Sequence, residues 1–386
     1  MREVLTELLA WWRAGESVGL ATVVATFRSA PRPPGAAMLV GPGGCAVGSV
    51  SGGCVEGAVY DVAQAVVASG RPELQRYGVS DDDAFAVGLT CGGILDVYVE
   101  KIDRSTFPEL EEVCADIEAG IPVAVATVIE HPDPGWIGRR LLVRPDGSDR
   151  PVVTGSVGSA RADDAIRDDA LGQLAAGTSA TLTYGVDGQR RGEGMRVFVW
   201  AFAPKPRLLV FGAIDFAAAV ARAGAFLGYH VTVCDARPVF ATTARFPDAD
   251  AVVVDWPHRY LRDEDAAGRL DARTVLTVLT HDPKFDVPLL QVALRIPEIA
   301  YVGAMGSRRT HHQRLERLRE AGLTEDELDR LHSPIGLDLG ARTPEETAVS
   351  IVAEIIAARW GGSGRHLKDI AGPIHEGLDQ ASVLPG

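Results

Sequence analysis

Residues 207–217 read RLLVFGAIDFA, an apolar strand that enters a glycine turn and then a helical pattern. The alternation of strand and helix patterns continues downstream. Strands are predicted at residues 208–211, 231–234, 251–254, 274–279 and 300–302. Because alternating β and α segments build parallel sheets covered by helices, we predict a Rossmann-like α/β domain over residues 207–360. Residues 361–386 are predicted to form a flexible tail.

The turn after the first of these strands departs from the dinucleotide fingerprint G-x-G-x-x-G/A. Gly212 and Ala217 match it, but Ile214 stands where a glycine lets the backbone approach a pyrophosphate, and Asp215 would repel an anion. Asp235 ends the second strand, where an acidic residue binds an adenosine ribose. Gly212 and Asp235 are therefore candidate cofactor-binding residues, with NAD(P) binding weakened by Ile214 and Asp215.

Two further loops follow strands of the same predicted sheet, at the edge where open α/β folds place ligands. His281 follows the fourth strand and is either a general base, a hydrogen-bonding group, or a capping or core histidine. Ser307 and Arg308 follow the fifth strand and enter a basic helix, so they could bind a phosphate or form a solvated helix face.

The first half of the chain contains an internal repeat. The runs ATVV at 21–24 and GSV at 48–50 recur in the same order as ATVI at 126–129 and GSV at 155–157. We therefore predict a β-rich α+β region over residues 1–203 that contains a duplicated unit, at about 15–100 and 121–200. The prolines of 201–206 indicate a linker to the α/β domain.

Only the first copy carries cysteines within glycine turns, SGGC at 51–54 and CGG at 91–93. Glycine neighbours leave a thiol reachable while the backbone closes on a ligand, although a cysteine can also be a small hydrophobe that packs a turn. The candidate ligand-binding residues in these turns are Gly52, Gly53, Cys54, Cys91, Gly92 and Gly93. The first copy also contains a proline-rich loop, in which Arg28 and Arg32 face an anionic ligand or form an ordinary surface connector.

Composition excludes several functional classes. The formal charge of −14 argues against sequence-independent binding of nucleic acid or anionic membranes. The first ten residues do not resemble a secretion signal and no long apolar run offers a membrane span, so a cytoplasmic protein is expected. Five cysteines without a CxxC pair suggest neither a disulfide framework nor a zinc ribbon.

Together these segments resemble the XdhC/CoxI family, the accessory proteins of molybdenum hydroxylases such as xanthine dehydrogenase and carbon monoxide dehydrogenase. The segments that carry the resemblance are GSVSGGCVEG at 48–57, GLTCGG at 88–93, THD at 280–282, GSRR at 306–309, PIGLD at 334–338 and TPEE at 343–346. Similar proteins usually have glycine and histidine where this chain has Ile214 and Asp215.

The resemblance implies a chaperone that binds the molybdenum cofactor (molybdopterin), assists replacement of an oxo ligand by sulfur, and delivers the cofactor to an apo-hydroxylase. It implies Cys91 as the metal ligand and Cys54 as a second cofactor contact, which suits the affinity of thiolates for soft metals. A cysteine desulfurase is a further expected partner, and the protein is expected to form a homo-oligomer. Two alternatives remain: an NAD(P)-dependent oxidoreductase in which a cysteine or His281 handles the substrate, and a non-catalytic scaffold that docks a hydroxylase.

Overall fold

The computed structural model describes residues 1–27, 32–78, 93–145 and 151–371. The chain divides into two compact units. Unit 1 comprises Met1–Pro204 together with the residues from Ile370 onward, and unit 2 comprises Lys205–Asp369. Among the helices described, none is both long and apolar enough to cross a bilayer.

Unit 1 contains two five-stranded antiparallel sheets of identical strand order. Sheet A has the order β3-β2-β1-β5-β4, and its strands are β1 (Val18–Phe27), β2 (Ala37–Val40), β3 (Ala46–Gly48), β4 (Glu73–Tyr77) and β5 (Ile94–Ile102). Sheet B has the order β8-β7-β6-β10-β9, and its strands are β6 (Val123–Glu130), β7 (Arg140–Arg144), β8 (Val152–Gly155), β9 (Ala180–Gly185) and β10 (Gly194–Phe202). The duplication predicted from the sequence is therefore confirmed.

Each sheet carries one helix at the same place in the order of elements. Helix α2 (Glu56–Ser69) follows β3 and packs on sheet A, and helix α4 (Ala160–Ala176) follows β8 and packs on sheet B. The opposite faces of both sheets contribute to one shared core with α1 (Leu5–Arg13) and α3 (Leu110–Ala119). Because both faces are covered, the central strands are almost continuously apolar rather than alternating.

Unit 2 is a six-stranded parallel sheet of order β13-β12-β11-β14-β15-β16. The strands are β11 (Arg207–Phe211), β12 (His230–Asp235), β13 (Ala251–Val254), β14 (Val275–Val278), β15 (Tyr301–Ala304) and β16 (Leu331–His332). The helices are α5 (Asp215–Phe226), α6 (Pro257–Ala266), α7 (Pro283–Ala293), α8 (Arg308–Glu320), α9 (Glu325–Asp329) and α10 (Pro344–Trp360). The predicted parallel α/β architecture is confirmed.

Local sequence signals explain where several of these elements begin. Thr343 and Glu346 form a reciprocal capping box at the start of α10, with Pro344 at the first helical position. Helix α5 begins at Asp215, immediately after the turn that contains Gly212. The two-residue strand β16 was missed, because a run of that length has no detectable periodicity.

Candidate functional site

The strand register of sheet A brings several loops to one end of the sheet. Thr22 of β1 pairs with Ala37, the first residue of β2, and Met38 pairs with Gly48, the last residue of β3. Further along β1, Phe27 pairs with Ile94, the first residue of β5. Since all the pairs are antiparallel, these strand termini lie at the same end of sheet A.

Three connections therefore leave or enter sheet A at that end. They are the β1–β2 connection with Arg32, the β3–α2 connection with Cys54, and the β4–β5 connection with Cys91. Cys91 and Gly92 lie outside the described residues, whereas Gly93 is buried immediately before β5. We call the described part of this end, residues 32–36, 49–55 and 93, the loop end of sheet A.

The β3–α2 connection is organised around one carboxylate. Glu56, the first residue of α2, accepts hydrogen bonds from the hydroxyls of Ser49 (2.6 Å) and Ser51 (2.5 Å). It also accepts bonds from the backbone N–H groups of Ser51 (2.9 Å) and Gly53 (2.8 Å). The Ser51 hydroxyl in turn accepts a bond from the N–H of Cys54. The glycine–cysteine turn is therefore held from inside by Glu56.

This network changes the acidity of the carboxyl group. Burial by itself raises the pKa of Glu56, but the hydrogen bonds from Ser49 and Ser51 outweigh burial and lower the pKa to about 2. Glu56 is consequently ionised across the physiological range. A half-buried carboxylate with this many donors fixes backbone geometry rather than transferring protons.

Both glycines of this turn adopt a backbone conformation that disfavours other residues. Gly52 and Gly53 have φ values of +78° and +119°, a region that disfavours side chains. A Cβ placed on either residue would meet no atom of the described part of the chain within 4 Å. Cys54 beside them is half-buried. The described residues therefore leave the backbone of this turn uncovered at both glycines.

The second copy retains the carboxylate but closes the turn. Asp163 accepts bonds from the Ser156 hydroxyl (2.7 Å) and the Val157 N–H (2.8 Å), with the same spacing as Ser49 and Glu56. Helix α4 begins at Ala160, so residues equivalent to Gly53 and Cys54 are helical there. At Gly158, an added Cβ would lie 2.6 Å from the ring of Trp136. The open turn is thus specific to the first copy.

Arg32, predicted to face an anion, lines a pocket of about 330 Å³ in unit 1 together with Pro33, Pro34 and Trp200. Its guanidinium forms an ion pair with the exposed carboxylate of Glu3. Among the described residues, its Nε and the indole N–H of Trp200 are buried without a hydrogen-bond acceptor. The charge of Arg32 is thus paired with Glu3, while its Nε–H and the indole N–H of Trp200 have no acceptor in the described part of the chain.

In unit 2 the predicted residues lie at the carboxyl edge of the parallel sheet. Gly212 follows β11, His281 follows β14, and the order of the strands reverses between these two neighbours. Gly212 has a φ of +113°, and a Cβ there would lie 2.9 Å from Cγ2 of Thr280. Gly212 is therefore required for the close approach of two loops at the switch point of the sheet.

Asp235 is buried, and its carboxylate accepts hydrogen bonds from other groups of the protein. One carboxylate oxygen accepts bonds from the backbone N–H and Nε of Arg237, and the other from the Ala213 N–H and the second guanidinium arm. A carboxylate has about four acceptor sites, and these contacts use all of them. Asp235 in this conformation consequently offers little to a ribose diol, which adds to the obstacle that Ile214 and Asp215 present to a dinucleotide.

His281, Ser307 and Arg308 are all exposed. The Ser307 hydroxyl caps α8 by accepting a bond from the N–H of Thr310. A buried network behind these loops holds them in place, since Arg314 donates to Asp286 (3.1 Å) and to the carbonyl of Met305 (2.8 Å). At this edge of the sheet, the loops are therefore anchored by buried contacts on one side and exposed to solvent on the other.

Sequence reasoning missed several residues that shape these sites. Glu56 lies within the GSVSGGCVEG segment, and the matched spacing of Ser49 to Glu56 and Ser156 to Asp163 is the signal that could have revealed its role. Two arginines that line a pocket beside the glycine turn of unit 2 carried no signal at all: Arg237 and Arg245. Within the described ranges, no group of three or more His, Cys, Asp or Glu side chains could hold a metal ion.

A duplicated antiparallel unit with a glycine–cysteine turn, followed by a Rossmann domain, defines a narrow class of proteins. The model of the XdhC Rossmann domain matches residues 208–355, and the model of the XdhC and CoxI family matches residues 11–78 and 116–185. A protein of Bacillus subtilis described as a probable xanthine dehydrogenase subunit is 30% identical over 89% of this chain and 94% of its own length. The chain belongs to the XdhC and CoxI family.

Two further proteins are similar over nearly the whole chain. The molybdenum cofactor insertion chaperone PaoD of Escherichia coli is 28% identical over 90% of this chain and 85% of its own length. The crystal structure of a xanthine dehydrogenase from Bacillus halodurans superimposes with a TM-score of 0.66 at 26% identity, covering 95% of this chain and 97% of the other.

Proposed function

We propose that this protein is an accessory chaperone that binds molybdenum cofactor, assists its sulfuration, and inserts it into a molybdenum hydroxylase. The function of the Escherichia coli relative, molybdenum cofactor insertion, supports the class of activity. The name of the Bacillus subtilis relative supports a xanthine dehydrogenase as the client. The cofactor is cargo in this proposal, so the protein must hold it reversibly.

The loop end of sheet A is the observation that carries the proposal. Within the described ranges, no atom covers Gly52 and Gly53 beside Cys54, whereas Trp136 covers Gly158 in the corresponding turn of the second copy. The first turn therefore suits a bulky ring system better than the second. The β4–β5 connection, residues 78–93, is twice as long as the β9–β10 connection, residues 186–193. Loops enlarged in one copy of a duplicated scaffold are where binding residues concentrate.

In this proposal Cys91 ligates the molybdenum through its thiolate, and Cys54 contacts the cofactor from the neighbouring turn. Thiolates suit a soft metal centre, and Glu56 keeps the turn beside Cys54 in one conformation. A cysteine desulfurase supplies the sulfur, and the apo-hydroxylase receives the loaded cofactor. The saturated carboxylate of Asp235 favours this function over an NAD(P)-dependent oxidoreductase.

The test is cofactor binding by the purified full-length chain. We expect Cys91→Ala to lower the affinity for molybdopterin by more than tenfold, which corresponds to about 1.4 kcal/mol. Bound pterin is measured by its fluorescence after oxidation, and bound molybdenum by elemental analysis. Cys91→Ser serves as a second variant that keeps the size of the side chain.

Cys45→Ala is the matched control. Cys45 is exposed in the turn between β2 and β3, at the opposite end of sheet A from Cys54. Its substitution should leave the affinity unchanged. Equal affinity of the wild type, Cys91→Ala and Cys91→Ser would refute the metal-ligand assignment, and loss of affinity in Cys45→Ala would show that the effect is not local.

A further inference from the structure

Helix α10 of unit 2 is apolar on two faces. One face is buried, since Ala348, Ile351 and Ile355 belong to the same core as residues of α5. The other face is open to solvent, with Val349 55% exposed and Ile356 43% exposed. A helix that is apolar all round is normally buried all round. The residues that the structure describes therefore leave uncovered a face that α10 is expected to bury.

The accessible apolar residues of α10 follow one line along the helix. They are Val349, Val352, Ala353, Ile356 and Trp360, and we call them the α10 surface. Steps of three or four residues place them on the same side of an α-helix. Trp360 is 58% exposed, whereas Val352 and Ala353 are half-buried. Single exposed apolar residues are ordinary, but aligned aliphatic and aromatic side chains mark an interaction site.

The α10 surface ends in charges of opposite sign. Glu345 lies one turn before Val349, and Arg359 directly precedes Trp360, whose ring centre is 4.8 Å from the Arg359 guanidinium. The spacing of three or four residues continues to both charges, so they lie on the same side of the helix as the α10 surface. Both side chains are exposed, and neither forms an ion pair within the described ranges.

This distribution of charge is complementary to a second copy of itself. When two identical helices pack antiparallel about a two-fold axis, the first turn of each lies beside the last turn of the other. Glu345 then lies beside Arg359 of the partner subunit at both ends of the contact, and Val349 and Ile356 lie on either side of its centre. Parallel packing would instead place like charges together at each end. The charges therefore favour a second copy in antiparallel orientation.

We propose that the α10 surface is the interface of a homodimer in which two copies of α10 pack antiparallel. The aliphatic residues form its apolar centre, and Trp360 and Arg359 are of the residue types most enriched where interfaces hold most of their binding energy. The inference is independent of the proposed chaperone function, because it uses no residue of the loop end of sheet A.

The size of the α10 surface predicts a weak dimer. A helix of 17 residues is about 25 Å long, and one contact between two such helices is smaller than the roughly 1,200–2,000 Å² buried in stable complexes. The formal charge of −14 on each chain also opposes association. Salt at about 0.15 M screens this repulsion beyond about 8 Å. We therefore expect a micromolar Kd at physiological ionic strength.

Sedimentation equilibrium of the full chain, at about 1–100 μM and in about 0.15 M salt, measures this association. We expect the mean mass to rise with concentration from the monomer value of 40.9 kDa toward twice that value. Ile356→Glu places an unpaired charge at the centre of the interface and should weaken association about tenfold or more. Val239→Glu is the control, because Val239 is an apolar residue of unit 2 that is 78% exposed and lies outside α10.

Charge reversal tests the antiparallel orientation. Arg359→Glu and Glu345→Arg should each weaken the dimer severalfold, because each places like charges together at both ends of the contact. The double variant should recover most of the loss, since opposite charges again lie side by side. A thermal melt of each variant checks that unit 2 is folded.

A chain that stays monomeric over the whole concentration range would overturn the proposal. A dimer that Ile356→Glu does not weaken would overturn it as well, because another surface would then hold the two copies together. Loss of the dimer in both charge reversals without recovery in the double variant would contradict the antiparallel contact. A monomer whose binding to a hydroxylase is weakened by Ile356→Glu would assign the α10 surface to that enzyme instead. Each of these outcomes leaves the molybdopterin affinity of Cys91→Ala as a separate measurement.

Discussion

Substitution of Glu56 by glutamine should loosen the glycine–cysteine turn without unfolding unit 1. The amide keeps the size of the side chain, but it removes the charge and places an NH₂ group against N–H and O–H donors. The pKa of Glu56 falls from its ordinary value of 4.5 to about 2 in the folded protein. A difference of that size corresponds to at most about 3 kcal/mol.

The measurable effect should be smaller because Glu56 is partly exposed and solvent screens its interactions. We expect a loss of about 1–2 kcal/mol in the free energy that holds the turn closed. Hydrogen exchange of a peptide spanning residues 49–56, followed by mass spectrometry, reads this local opening directly. A loss of that size should accelerate exchange of the turn amides by about 5- to 30-fold.

The pH dependence gives a second readout. The folded pKa of Glu56 is lowered, so its contribution is fully present above pH 4.5 and disappears as the pH falls toward 2. The difference between the wild type and Glu56→Gln should therefore be constant from about pH 6 to 8 and shrink in acid. The reasoning would be refuted by equal exchange rates near neutral pH, or by a difference that persists unchanged when the pH is lowered to about 2.

The second copy supplies a matched control for this experiment. Asp163→Asn removes the equivalent carboxylate, which accepts two described hydrogen bonds, from Ser156 and Val157. We expect its effect on exchange to be confined to sheet B and to be smaller, about 0.5–1 kcal/mol. Under the proposed function, Glu56→Gln should weaken molybdopterin binding and Asp163→Asn should not.

The remaining predictions concern the stability of unit 2, measured by denaturant unfolding. Gly212→Ala should cost about 1–3 kcal/mol, since it combines a φ of +113° with a contact of 2.9 Å to Thr280. Gly228→Ala, at a φ of +84° and with no atom of a described residue within 4 Å, should cost less. Equal losses for the two variants would show that the contact with Thr280 contributes nothing. Arg314→Met should cost about 3–5 kcal/mol because it leaves Asp286 buried without its cation, and the added change Asp286→Leu should restore much of the loss.

Much of the architecture was accessible from the sequence. The alternating strands and helices after residue 207 predicted the parallel sheet, and the repeated ATVV and GSV runs predicted two copies of one unit. Both inferences depend on local periodicity and repetition, which a single sequence displays without reference to long-range contacts. The cap of α10 is also a local feature, because its three signals lie within the four consecutive residues 343–346.

The role of Glu56 could not be predicted from the local sequence. The residue was visible within the motif, yet its function depends on the direction of one carboxylate toward the donors of the preceding turn. Sequence indicates which side chains are near along the chain, but not which of them point inward. Asp235 illustrates the same limit, because a residue type suited to binding ribose is already saturated by Arg237 and Ala213.

What the sequence by itself determined was the set of elements, their order, and the duplication of the first unit. Only the tertiary structure decided that the β1–β2, β3–α2 and β4–β5 connections share one end of sheet A, and that the guanidinium groups of Arg237 and Arg245 both lie against the Phe240 ring. Strand register and side-chain direction arise from contacts between residues far apart in the chain. Those contacts are fixed by packing of the whole unit, and no local pattern encodes them.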